Sequence, residues 1–397
     1  MEATPTRLRE RPHLLAFAGV FTSVLSCFMA IGAVLPILPR YVHGPLHSGD
    51  VAVGIVVGAF ALTAVIGRPI GGRLVDARGR RPIVVTGMLL SAVGGAMYFL
   101  PFGVLGLVLA RLVLGVGDGW VFTGGATWIV DLAPEERRGQ AIGLFGLSIW
   151  GGLAVGPVLG EALYQGLGYD AVWTFALIGP LVGAAIARRV PDPHVPIVRA
   201  EDAERGPLIP VAVRLPGLAL ALANVGYGTV AGFLVLHLQH QGIAHGAAAF
   251  TAFAASVVFG RLALGTLPDR MGPQVTALGA FLAETAGLAL IGSAHTWLVA
   301  GLGAVVMGAG FSLLFPSLAL IVMNRIGEDG RGAAMGAFTA FFDVGVGLGA
   351  PLAGAVAAVA DYPAAFYTAA GAAALGALLG ATRPAGRTHE AAPATPA

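Results

Sequence analysis

The stretch Gly67-Arg68-Pro69-Ile70-Gly71-Gly72-Arg73-Leu74-Val75-Asp76-Ala77-Arg78-Gly79 decides how the chain is read, because the second half repeats it. Gly67-Arg68, Gly72, Leu74, Asp76 and Gly79 return as Gly260-Arg261, Gly265, Leu267, Asp269 and Gly272, at a constant offset of 193 residues. The same offset carries Gly115 and Gly117 to Gly308 and Gly310. It also carries Glu135, Arg138, Gly139 and Gly143 to Glu328, Arg331, Gly332 and Gly336. An ungapped repeat in an apolar chain points to two similar helical bundles that face each other across a central site.

Composition puts the chain in a membrane. Hydrophobic residues make up 56%, charged residues 11%, and the mean hydropathy is +0.82. A soluble domain carries about 25% charged residues. The 60 glycines would weaken soluble helices but suit closely packed membrane ones. A scattered net charge of +2 excludes a nucleic-acid binder. The single cysteine, Cys27, permits no internal disulfide, and all 23 basic residues are arginine. The apolar run after Arg7, Arg9 and Arg11 is too long for a cleaved signal and reads as a first membrane span.

Crossing the bilayer takes roughly 20 apolar residues. Runs at 14–39, 51–71, 82–101, 104–130, 138–165 and 171–189 fill the first half. Runs at 212–238, 246–266, 274–293, 296–323, 332–359 and 363–382 fill the second. The expectation is an all-α integral membrane protein of twelve spans. It comprises a cytoplasmic tail at 1–13, a six-helix bundle at 14–189, a proline-broken linker at 190–211, a second bundle at 212–382 and a disordered tail at 383–397. With both termini cytoplasmic, 19 of the 23 arginines fall on inside segments, as the positive-inside rule requires. That orientation fits the cell inner (plasma) membrane.

The stretch Gly72-Arg-Leu-Val-Asp76-Ala-Arg-Gly79-Arg80-Arg81-Pro82 resembles the signature loop of the major facilitator superfamily, and the likeness covers nearly the whole chain. The basic residue usually found just after the aspartate is Ala77 here, with Arg78 one place later. The resemblance implies alternating access, with Gly72, Asp76, Gly79, Arg80, Arg81 and Asp131 as an inner latch that breaks when the carrier opens inward. Asp76 would cap a helix of the other half, and Asp269 and Arg270 would form a weaker second latch. Arg111-(x)3-Gly115 resembles a motif of proton-driven members. Gly152, Gly156, Pro157 and Gly160 resemble the motif of exporters that exchange substrate for protons, with Glu161 in place of its final glycine. The implied branch is the twelve-helix drug:proton antiporters.

Charges within spans are costly, so each is a candidate for function. Arg111 and Asp118 lie seven residues apart on one face of the fourth run, which in this fold lines the cavity. Protonating Asp118 would free Arg111, a coupling device; a static pair is the plainer reading. Their repeat equivalents are Ala304 and Phe311, so the charge was placed in one half only. Asp343 is the second coupling candidate, with a packing hydrogen bond to the second run as its alternative, and Glu161 is the third. Arg68 and Arg261 read as structural residues reaching to the interface. Glu284 is expected to point inward.

Phe122, Trp150, Asn224, Tyr227, Phe311 and Phe315 are the candidate cavity residues. Such a lining suits amphipathic or aromatic organic molecules better than sugars. His237, His240, His245 and His295 fall at expected helix ends, where water explains them, and no metal site is expected. No phosphate-binding loop, dinucleotide motif or catalytic constellation is present, so neither enzyme nor cofactor is expected. The reading is a monomeric secondary transporter whose partners are protons, a small-molecule substrate and the lipid bilayer, most simply an exporter. A proton-coupled importer and a non-transporting receptor of the same fold are the alternatives.

Overall fold

The computed structural model describes residues 6–134, 137–192, 209–326 and 331–381. Every regular element among them is an α-helix. The first half holds α1 (Thr6–Val34), α2 (Leu38–His43), α3 (Asp50–Arg78), α4 (Arg80–Met97), α5 (Gly103–Asp131), α6 (Arg138–Leu167) and α7 (Tyr169–Ala187). The second holds α8 (Val211–His240), α9 (Gly246–Leu264), α10 (Leu267–Met271), α11 (Pro273–Gly292), α12 (Trp297–Met323), α13 (Arg331–Val359) and α14 (Tyr362–Ala381). Among the described residues, eleven stretches are long and apolar enough to cross a membrane. The expected third span, α4, is not among them. It has 18 residues and opens on Arg80 and Arg81, which lower its hydropathy. Most of the linker, the tail after Arg383, and Glu135 and Glu328 lie outside the described residues.

The repeat is structural as well as sequential. Thr63 Oγ1 donates to Leu112 O at 2.6 Å, and its equivalent Ser256 Oγ donates to Val305 O at 2.7 Å. Gly79 and Gly272 break their chains at φ 96° and 85°, left-handed values that favour glycine. The signature stretch is not a loop, however. The helix α3 runs through it to Arg78, and Gly79 alone separates α3 from α4. The second copy does break, with α9 ending at Leu264 and the short α10 following.

Burial follows helical spacing. On α3, Leu62, Ile66 and Ile70 form an exposed apolar stripe at i, i+4, i+8, while Ala61, Ala64, Gly67 and Gly71 are buried on the other side. The outward stripe is the lipid face such a helix requires. On α6 the small residues make a groove that receives α1. A Cβ at Gly152 would stand 2.7 Å from Met29 N, and one at Gly156 2.7 Å from Ala33 N. Such stripes let helix backbones approach where no hydrophobic drive separates protein from lipid.

The halves meet chiefly along α3 and α13. At the Asp50 end the seam is closed at backbone distance. A Cβ at Gly58 would lie 2.8 Å from both Gly347 O and Pro351 Cδ, and one at Gly54 would lie 2.9 Å from Pro351 Cα. Tyr362 Oη donates to Asp50 Oδ1 at 2.9 Å across the same seam. The repeat-related pair α6/α9 carries Ala247, Thr251 and Glu161 where α3/α13 has Gly54, Gly58 and Gly354.

Two buried polar groups in the second half differ from expectation or extend it. His237 is not at a wetted helix end. It is fully buried, with Nε2 2.9 Å from Ile291 O, whereas His240, His245 and His295 are exposed. Glu284 points inward as expected, is fully buried, and neither carboxyl oxygen has a partner among the described residues. An unmade hydrogen bond at a buried carboxyl costs about 1–3 kcal/mol. Glu284→Met, which fills similar volume without polar atoms, is therefore expected to raise the thermal midpoint by about 2–4 °C. A lowered midpoint in a dye-based unfolding assay would contradict this.

Candidate functional site

Between the halves lies a cavity of about 180 Å³, walled by α1, α3, α5 and α6 of the first half and α8, α9, α12 and α13 of the second. It reaches from the level of Leu35 and Val57 to that of Ile142 and Thr339, near the Gly79 end. At the Asp50 end the glycine seam closes it. The wall is aromatic. Trp150 on α6 stands edge-on to Tyr227 at 5.8 Å and to Phe311 at 5.4 Å, so one ring of the first half closes against two of the second.

Of the six expected cavity residues, Phe122, Trp150, Tyr227, Phe311 and Phe315 line this space. Asn224 does not. It is buried between α8 and α13, where its amide donates to Leu220 O and a Cβ at Gly345 would stand 2.6 Å from its own Cβ.

The charges at the wall are arranged around a residue read from sequence as merely structural. Arg68 on α3 forms a two-point contact with Asp343 on α13, Nε to Oδ2 at 2.6 Å and Nη2 to Oδ1 at 2.9 Å. Its Nη2 also reaches Asp118 Oδ2 on α5 at 3.4 Å. The Arg68 guanidinium stacks over Phe122 with its carbon 4.1 Å from the ring centre. Side-chain exposure is 11% for Arg68, 8% for Asp118 and 1% for Asp343, so the pairs are shielded from water. Asp343 thus has its partner on the second apolar run, and that partner is Arg68.

Arg111 and Asp118 are not paired to each other. Both line the cavity, but Arg111 donates through Nη2 to Val57 O at 3.0 Å and lies 4.7 Å over the Phe60 ring. Seven residues of helix separate the two by about 10.5 Å, and Arg68 enters from α3 to take the carboxylate. Glu161 is also displaced from its expected role. It lies outside the cavity, held by Arg40 Nη1 at 2.8 and 3.0 Å and by Gln165 Nε2 at 2.9 Å.

The expected latch is present in part. Arg80 Nε lies 2.6 Å from Asp131 Oδ2. Both residues belong to the first half, so this pair bridges neighbours rather than halves, and it persists while the cavity reaches toward that end. Arg81 is exposed, and its backbone N–H donates to Asp192 Oδ2 at 3.0 Å. Asp76 sits in the last turn of α3, and the N-cap of α4 is Gly79, without a side-chain cap. Capping of α13 by Asp76 falls on side chains outside the described residues. Asp269 and Arg270 are exposed and form no ion pair among the described residues. No cluster of three or more His, Cys, Asp or Glu able to hold a metal occurs among those residues.

Known proteins agree with this architecture. The sequence profile of the Major Facilitator Superfamily matches residues 20–345, and again 286–396. An uncharacterised MFS-type transporter of Salmonella typhimurium is 32% identical over 360 residues, covering 88% of this chain and 92% of that protein. The uncharacterised MFS-type transporter YhhS of Escherichia coli is 33% identical over 362 residues, covering 89% of this chain and 88% of that protein. Among solved structures, the human organic anion transporter MFSD10 (TETRAN) superposes with a TM-score of 0.71 at 19% identity, over 93% of this chain and 99% of that one. The nucleoside transporter NupG gives 0.73 at 15% identity, over 92% and 98%. Two facing bundles, a cavity between them and matches along nearly the whole length lead to one assignment: the chain belongs to the Major Facilitator Superfamily and is a multi-pass membrane transporter.

Proposed function

We propose that this protein exports small amphipathic organic compounds in exchange for protons, by alternating access in the cell inner membrane. On this reading α4 is a twelfth span, both termini are cytoplasmic, and the protein acts as a monomer. The sealed Asp50 end then faces outward, and the cavity is reached from the cytoplasm.

The observation that carries the reading is the guanidinium of Arg68, shared between a carboxylate of its own half and one of the opposite half. A proton on Asp343 removes the charge that binds Arg68 to α13. The link between the halves then weakens at mid-membrane, and Arg68 falls back on Asp118. Proton binding is thereby coupled to the contact that holds the outer end shut. Nothing in the sequence supplies a nucleotide-binding loop as an alternative power source. The aromatic wall suits apolar and aromatic bodies, and the packed stripe Gly152, Gly156, Pro157 and Gly160 is the feature that resembles exporters.

The test is accumulation of a panel of antibiotics and dyes in an efflux-deficient bacterium that expresses the protein. Lower accumulation of at least one compound, abolished when the proton gradient is collapsed, is the expected result. Raised accumulation would reverse the direction and make the protein an importer. Identical accumulation with and without the gradient would overturn proton coupling.

A further inference from the structure

Arg261 on α9 is the repeat equivalent of Arg68, and it lines the same cavity. The two arginines have opposite surroundings. The carboxylates that hold Arg68, Asp118 and Asp343, correspond at the 193-residue offset to Phe311 and Trp150. Both counter-ions have been replaced by rings. Arg261 consequently has no ion pair among the described residues, and its Nε is buried without a hydrogen-bond partner. Its Nη1 rests against Gly146 of the opposite half, where a Cβ would stand only 2.6 Å away.

The cavity wall as a whole carries three guanidinium groups, those of Arg68, Arg111 and Arg261, against the two carboxylates. Arg68 is held by both acids, whereas Arg111, with Nε and Nη1 buried and unpartnered, keeps one hydrogen bond to Val57 O and the Phe60 ring. Arg111 and Arg261 both lack a carboxylate partner, and among the described residues Arg261 is the one of the three without a hydrogen bond. A cation away from bulk water is expensive unless paired. A guanidinium presents a planar fork of donors matched to a carboxylate or related oxyanion. The rings that replaced its counter-ions offer an apolar surface beside that fork.

We propose that Arg261 is a substrate-binding residue that holds the anionic head of an organic anion, whose apolar or aromatic body lies against Trp150, Tyr227 and Phe311. The proposal rests on the reading of this cavity as the transport site and narrows the substrate class to amphipathic anions. It also assigns different tasks to the two repeat-related arginines. Arg68, ion-paired within the protein, serves coupling; Arg261, without an ion pair among the described residues, serves recognition.

The experiment is equilibrium dialysis of the full-length protein in lipid nanodiscs, with empty nanodiscs as the reference for partitioning. The probes are naphthalene-2-carboxylate and the uncharged naphthalene-2-carboxamide, at neutral pH without any gradient. The native protein is expected to bind the carboxylate at least roughly tenfold more tightly than the amide. Arg261→Gln should bring the two affinities together while leaving amide binding, and hence the cavity, intact. Arg261→Lys, which keeps the charge and loses the fork, should retain part of the preference. Equal binding of both probes by the native protein, a carboxylate preference that survives in Arg261→Gln, or no saturable binding of either probe would overturn the proposal. Because no proton gradient is present, these outcomes are independent of the accumulation test. Loss of proton dependence there leaves the anion site standing, and loss of anion preference here leaves proton coupling standing.

Discussion

In vesicles carrying Asp343→Asn, an imposed proton gradient is expected to drive no net movement of a compound that the native protein transports, while exchange of that compound across the membrane continues. The expectation follows from where the carboxylate sits. Among the described residues Asp343 supplies the only two-point contact to Arg68, and it does so from the other half of the molecule. Removing one partner of a buried pair costs about 3–5 kcal/mol. Here Asp118 remains at 3.4 Å to share the guanidinium, so a discounted figure of about 2 kcal/mol, or roughly 30-fold in the balance between states, is the appropriate one. Asparagine preserves shape and leaves the binding surface in place, which is why exchange survives. Asp118→Asn, which loses the longer contact, should uncouple less completely. Arg111→Gln should alter substrate affinity more than coupling, since Arg111 holds a backbone carbonyl and a ring. The opposite ranking, with Asp118→Asn uncoupled and Asp343→Asn coupled, would restore the arrangement suggested by spacing within α5 alone.

Gly58→Val is expected to prevent closure of the Asp50 end and to abolish transport. The added side chain would meet Gly347 O and the Pro351 ring at 2.8 Å, and neither is a flexible group that can turn aside. Overpacking of this kind costs about 1–3 kcal/mol, and the halves can relieve it by parting. A cysteine placed at the buried seam position 61, by Ala61→Cys in a Cys27→Ala background, reports the change, since the Ala61 Cβ faces Gly347 across the seam. Membrane-impermeant maleimide should label it slowly in the otherwise native protein and at least roughly fivefold faster with Gly58→Val, a shift of about 1 kcal/mol in the open population. Gly143→Ala is the control, because a Cβ there would meet nothing within 4 Å. Unchanged labelling together with lost transport would mean that the seam does not move.

Much of this architecture is legible in the amino-acid sequence. The 193-residue repeat yields two bundles directly, because a membrane helix must be apolar along its whole length and the glycines that pack it recur in register. Five of the six expected cavity residues line the cavity for the same reason: repeat position and helix face fix which side chains look inward. The charges are harder to read. Arg68 lies near the end of its apolar run and matches Arg261, so by sequence it reads as architecture. That inference uses depth along one helix, whereas an ion pair depends on which helices touch. The available signal is the asymmetry itself. Asp118 and Asp343 have apolar equivalents while Arg68 and Arg261 persist, so one arginine has to be compensated and the other left bare. Glu161 and Asn224 depart from expectation through the same limitation, since side-chain direction around the helix shifts by about 100° per residue and run boundaries are uncertain by more than that. Asp131 does pair with Arg80, but as a contact within one half it carries less of the latch than the signature implies.

The central claim is that Arg68, shared between Asp343 and Asp118, ties proton binding to the closure of the α3–α13 seam. It is tested most directly without any substrate, by pulsed electron-spin distance measurement between labels at Val51 and Val359, both exposed at the Asp50 end. The labels are placed in a Cys27→Ala, His43→Gln background, since the His43 imidazole lies 2.8 Å from Asp50 at the same end. The native triad should respond to acidification by shifting population from the short to the long distance, and Asp118→Asn/Asp343→Asn should hold one distribution at every pH. A double variant that responds to pH as the native triad does would contradict the claim.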